Sequence, residues 1–144
     1  MESIKKNLDI PVIKILNDFE AIGYAVSKID EEDYISLNPE VKRRVGETIS
    51  IIGAGTGLGE AYLTKSPTSS HYDVYATEGG HTEFAAKTEE QWKLRNFALQ
   101  YCSEKNKMEV KRVSIERLCS GPAIPMMYEF MRKEYPDLAA KSVL

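Results

Sequence analysis

Residues 47–66 read "ETISIIGAGTGLGEAYLTKS", and glycines at 53, 55, 57 and 59 interrupt two apolar, β-branched runs. This pattern predicts strands over 47–55 and 60–66 joined by a Gly-rich turn, a hairpin. Working outward, "HYDVYAT" (71–77) predicts another strand, and "IPVIKIL" (10–16) a buried strand ending at Asn17-Asp18. Phe19, Ile22, Val26 and Ile29 then recur at helical spacing, with Asn17 and Glu20 placed as a capping box. Residues 30–47 are charged, contain Pro39 and Gly46, and read as a surface connection. Beyond the strands, Thr88 and Gln91 form a second capping box. Leu94, Phe97, Ala98, Tyr101 and Cys102 follow as the apolar stripe of an amphipathic helix. A short helix is expected over 114–120, stopped by Gly121-Pro122. The next helix carries Ile124, Met127, Tyr128 and Met131 on one face and ends before Pro136, and Asp137 is placed to cap another. This order of strands and helices predicts a mixed α/β fold.

The chain of 144 residues is long enough for one domain with a real core, and its 42% apolar and 28% charged content is that of a globular protein. A net charge of −3 argues against a nucleic-acid or anionic-membrane surface. The one tight basic run, Lys42-Arg43-Arg44, is balanced by Glu40 and Glu47 and reads as a solvated loop. Cys102 and Cys119 are too far apart for a CxxC pair, so a reducing compartment is expected. No window approaches the ~20 apolar residues of a membrane span, and "MESIKKNLDIPVIK" carries charge where a signal peptide needs its apolar core. A cytoplasmic location is the expectation.

Four stretches carry chemistry. "GAGTGLG" (53–59) is neither G-x-G-x-x-G nor a Walker A loop, because Leu58 and Glu60 occupy the positions those motifs reserve for glycine. It is either a flexible hairpin turn or a turn whose backbone N–H groups and Thr56 hydroxyl approach an anion. "LNDF" (16–19) places an amide and a carboxylate where a strand passes into a helix, so one can cap while the other faces a ligand. "EGGHTEF" (78–84) sets Glu78, His81 and Glu83 around Gly79-Gly80. No HExxH, HxxEH or Pro-Cys-x-x-Cys accompanies it, which weighs against zinc. Spacing leaves open an acid pair, a loop shaped around a polar ligand, and a tight turn with an incidental histidine. "VSIERLCSG" (113–121) contributes Glu116, whose charge suits the start of the expected helix.

In this order, "LNDFEAIGY", "GAGTGLGEA", "EGGHTEFA" and "VSIERLCSGPAI" followed by Tyr128 resemble the bacterial-type glucokinases, ATP-dependent hexose kinases of the actin-like, sugar-kinase fold. The likeness covers nearly the whole chain. Each motif is weak alone, and the four in order are specific. The resemblance implies an α/β fold that is an incomplete actin-like ATPase (ribonuclease H-like) architecture, a mixed sheet with flanking helices. Residues 1–29 would be the end of a small lobe with the catalytic Asp, 30–47 a connection, and 48–144 part of a large lobe.

The resemblance also implies roles. Asp18 would be the general base for the sugar's 6-hydroxyl. Asn17, Glu78, His81 and Glu116 would hydrogen-bond the other hydroxyls, with Glu83 structural or solvent-facing. Gly55, Thr56 and Gly57 would lie in the loop facing the phosphates of ATP, and Mg²⁺ would come with the nucleotide rather than sit in a protein cage. Expected partners are glucose and ATP, without nucleic acid or membrane, and a homodimer is allowed for.

The departures are specific. No Asp-x-Gly-Gly-Thr hairpin precedes this region, and neither the later Gly-Gly stretch for adenosine nor the returning C-terminal helix is present. Ala86 stands where the family usually has Pro, and Ala123 where it often has Gly. The chain therefore reads as the central portion of a glucokinase. The expected activity is glucose phosphorylation. The alternatives are a catalytically weak or inactive sugar-binding regulator and a remnant that binds nothing well.

Overall fold

A computed structural model describes residues 4, 7, 10, 12–42 and 44–139. The expectations for Pro11 and Arg43 lie outside the described residues.

Helix α1, Asp18–Val26, starts where Asn17 caps it, the Asn17 side chain accepting the N–H groups of Phe19 at 2.9 Å and Glu20 at 3.3 Å. The reciprocal half of the expected capping box is absent. Glu20 pairs instead with Lys14 Nζ at 2.9 Å, and this exposed ion pair holds the lysine above its ordinary pKa. Gly23 is buried, and a β-carbon there would strike the Val74 side chain, so helix and strand approach backbone to side chain. The strand expected over 10–16 does not form among the described residues. Residues 12–17 have no regular structure, and Val12 and Ile15 are 78% and 75% exposed. A β-branched run becomes a strand only when a neighbouring strand takes up its N–H and C=O groups, and no described strand does so here.

Strands β1 (Ile49–Ala54), β2 (Leu58–Lys65) and β3 (Tyr72–Thr77) form an antiparallel sheet in the order β1-β2-β3. The first hairpin falls at the glycines, as expected, and a second turns through residues 66–70. Gly55 N–H donates to Gly57 O at 2.8 Å in the first turn, and Ser66 N–H to His71 O at 3.0 Å across the second. A mixed sheet was expected, but every pairing among the described strands is antiparallel.

Helix α2 (Glu89–Asn106) is capped by Thr88, which accepts Gln91 N–H at 3.2 Å. Gln91 returns a bond to Lys87 N–H at 2.8 Å, one residue upstream of the usual box. Helix α3 (Ala123–Glu134) and the short α4 (Pro136–Ala139) follow, and Asp137 lies in the first turn of α4 rather than capping it. Ala98 of α2, Val113 and Met126 of α3 form the core cluster, flanked by Phe97, Tyr101, Cys102, Leu118 and Met127. The expected stripe on α2 is therefore the inward one, with Ala98 buried and Leu94, Phe97, Tyr101 and Cys102 half-buried. On α3 the face is rotated: Ala123, Met126 and Phe130 are buried, while Ile124 is 69% exposed. Ile124, Met127, Tyr128 and Met131 instead line an open apolar cleft of about 680 Å³ beside Gly55.

The chain forms two compact units that interleave in sequence, Met1–Ile49 with Ala61–Ala76, and Ser50–Glu60 with Thr77–Leu144. The first carries α1; the second carries the Gly-rich turn, the 78–84 loop and α2–α4. No helix among the described residues is long and apolar enough to cross a membrane.

Candidate sugar site

In the second unit, the chain leaves β3 through Glu78 into a single 3-10 turn, Gly79–His81. His81 N–H donates to Glu78 O and Thr82 N–H to Gly79 O, both at 3.0 Å. The Thr82 hydroxyl adds a bond to Gly79 O at 2.8 Å. Gly80 is buried because this turn lies on β2. A β-carbon at Gly80 would stand 2.5 Å from Leu58 O, a collision with backbone that only glycine avoids.

The segment after the turn pairs with residues 113–116. Phe84 N–H donates to Val113 O, Ile115 N–H to Thr82 O, and Glu116 N–H to Gly80 O, at 2.8–3.0 Å. Glu83 and Ser114 form an isolated antiparallel bridge. This pairing replaces the helix expected over 114–120. That segment runs on as overlapping turns, Arg117 N–H to Ser114 O and Leu118 N–H to Ile115 O. Glu116 therefore owes nothing to a helix dipole.

Its carboxylate is fixed by other means. Glu116 Oε2 accepts Leu58 N–H at 3.0 Å, and Oε1 lies 3.6 Å from His81 Nδ1. The opposite ring nitrogen, His81 Nε2, lies 3.4 Å from Glu78 Oε2. The imidazole thus sits between two carboxylates, with Glu116 the more enclosed at 28% side-chain exposure and Glu78 the more open at 86%. Arg112 Nη1 donates to His81 O at 2.9 Å and pins the backbone behind the ring. Glu83 takes no part, being held by Arg95 at 2.8 Å.

The Gly-rich turn abuts the same carboxylate. A β-carbon on Gly57 would lie 2.6 Å from Glu116 Oε2, so glycine at 57 gives Glu116 room to reach Leu58 N–H. Gly55 accepts Gly121 N–H at 2.8 Å, while Gly55 and Thr56 are exposed. A β-carbon on Gly55 would meet nothing within 4 Å, so the turn is open on that side.

Asn17 and Asp18 belong to the first unit. Asn17 spends its carbonyl oxygen on the α1 cap, and among the described residues its amide NH₂ has no acceptor. Asp18 is exposed, with one oxygen 2.9 Å from Phe19 N–H. Among the described residues, no three His, Cys, Asp or Glu side chains gather as metal ligands do.

Sequence reasoning missed Leu58 N–H as the partner of Glu116, because a backbone donor leaves no mark in residue identity. The alternation Val113, Ser114, Ile115 was a usable signal for extended pairing in place of a helix.

The glucokinase family profile matches residues 1–143. The chain belongs to the glucokinase family. It is 38% identical over 144 residues to the glucokinase of Nostoc punctiforme and 36% identical over 143 residues to that of a Nostoc species. In each case the match covers 96% of this chain and 39% of the relative. The crystal structure of a glucokinase from an Antarctic psychrotroph superposes with a TM-score of 0.70 at 27% identity, covering 99% of this chain and 40% of that one. The chain thus spans about two fifths of the length of the glucokinases it matches, 39% in these relatives.

Proposed function

We propose that the chain carries the sugar-holding part of a glucokinase-type phosphoryl transfer, in which the 6-hydroxyl of glucose attacks the γ-phosphate of ATP. The supporting observation is His81 held between Glu78 and Glu116, with Glu116 anchored on Leu58 N–H beside Gly57. A hexose presents hydroxyls that both donate and accept. Two carboxylates accept, an imidazole does either, and the amide of Asn17 donates.

Asp18, exposed at the start of α1, is the base of this proposal and takes the proton of the 6-hydroxyl. Such a base is commonly worth on the order of 10²–10⁴ in rate. Gly55, Thr56 and Gly57 face the phosphates, since the turn is open at Gly55 and side-chain-free at Gly57. ATP with its Mg²⁺, when bound, supplies the phosphoryl group and neutralises the charge developing on it. Close placement of the hydroxyl against the phosphate is the main work left to the protein.

A second reading is sugar binding without turnover. It is favoured by Glu78, His81, Glu116 and their backbone supports all lying in one compact unit, whereas Asp18 lies in the other. A coupled assay for glucose 6-phosphate separates the two. Product from the chain, abolished by Asp18→Ala, supports transfer; glucose binding with no product supports the second reading; neither binding nor product refutes both.

A further inference from the structure

Residues Leu58 and Glu60 are two apart on β2 and project from the same face, the face on which the Gly79–His81 turn lies. The two glycines of the turn match these two residues. Gly80 sits on Leu58, as described above. At Gly79 a β-carbon would stand 2.9 Å from Glu60 Cδ and closer still to Glu60 Oε2, with Thr77 Oγ1 at 3.4 Å. The Glu60 carboxylate therefore fills the place that a side chain at 79 would take.

Glu60 is half-buried, and among the described residues it forms no ion pair and no side-chain hydrogen bond. Its carboxylate end lies against Gly79, on the side where a β-carbon would project. Gly79 lies in the chain between Glu78 and His81, two of the three side chains of the site. Glu78 precedes it directly, and His81 follows through its N–H bond to Glu78 O. A displacement at Gly79 moves both side chains at once.

We propose that Glu60 is a positioning residue of the sugar site, a strut that seats Gly79 and thereby sets where Glu78 and His81 present their side chains. The proposal rests on the sugar-holding assignment above. It acts through size, because among the described residues no donor meets the carboxylate.

The test is a four-cornered cycle of the chain, Glu60→Ala, Gly79→Ala and the double variant, with Glu60→Gln as the conservative replacement. Melting temperature and calorimetric glucose affinity are read for each. Gly79→Ala should lower both, and Glu60→Ala in the same chain should restore the melting temperature. Where Gly79→Ala alone does not fold, folding of the double variant is the rescue. Glu60→Ala alone should weaken glucose about tenfold, the weight of roughly one hydrogen bond, with little change in melting temperature. Glu60→Gln should bind nearly as the parent does, an outcome that charge pairing would not give. Additive melting shifts in the cycle, or parental glucose affinity in Glu60→Ala, overturn the proposal. Coupled melting shifts in a chain that binds no glucose would sink the sugar assignment while upholding the seat of Gly79 on Glu60.

Discussion

Replacing Glu116 separates two jobs that one carboxylate does. Oε2 accepts the N–H of Leu58, a residue only 8% exposed, and Oε1 faces His81. In Glu116→Ala that N–H is left without its acceptor in a poorly solvated place, at a cost of about 1–3 kcal/mol. For a chain of this size each kcal/mol is worth roughly 3 °C of melting temperature, so the expected fall is roughly 3–9 °C. Glu116→Gln keeps an acceptor oxygen of the same reach and should melt within ~2 °C of the parent. It lacks the anionic acceptor, however. A hydrogen bond to a charged group is worth about 1.5–3 kcal/mol, so glucose should bind roughly 10- to 150-fold more weakly in Glu116→Gln. Differential scanning calorimetry and glucose titration read the two effects independently. Equal melting temperatures for parent and Glu116→Ala would refute the anchoring role, and unchanged affinity in Glu116→Gln would refute the hydroxyl-binding role.

Other outcomes follow from the same geometry. Gly80→Ala drives a methyl group against Leu58 O and should cost about 1–3 kcal/mol by chemical denaturation, whether or not glucose is present. Asn17→Ala removes the α1 cap and should cost about 0.5–2 kcal/mol, while Asn17→Asp keeps the cap and should be nearly neutral. Met126→Ala empties a site 2% exposed in the core and should cost about 2–5 kcal/mol in the same measurement. The Tyr135 hydroxyl donates to Glu90 at 2.7 Å, which raises the phenol above its ordinary value of 10.0. A raised folded-state value means that this bond stabilises the fold below pH ~10 and is lost as pH climbs through the raised value, so Tyr135→Phe should flatten the alkaline fall in melting temperature.

Local signals were legible where a side chain acts on its own backbone. The caps Asn17 and Thr88, the glycines of the first hairpin and the apolar stripe of α2 were each readable from a few neighbouring residues. Failures came where distant chain decides. "IPVIKIL" has the composition of a strand, but strands need partners, and composition cannot state whether one is present. "SIERLCS" has helical spacing, but the N–H groups of Ile115 and Glu116 go to Thr82 O and Gly80 O, more than thirty residues away. On α3 the apolar residues outnumber one face, so periodicity could not choose between the stripe through Met131 and the one through Phe130 that packs on Phe97. Within the candidate site, the acid and imidazole residues were visible in the sequence. Their supports, Leu58 N–H, Arg112 and the Glu60–Gly79 contact, were not, because each joins residues by geometry alone.

Glu78, His81 and Glu116 are proposed to grasp a hexose together. Calorimetric titration of the chain with glucose, beside His81→Ala, tests this most directly. Saturable binding by the parent, weakened by His81→Ala at least tenfold with the melting temperature nearly unchanged, is the predicted result. Absence of saturable binding at millimolar glucose, or equal affinity in His81→Ala, would contradict it.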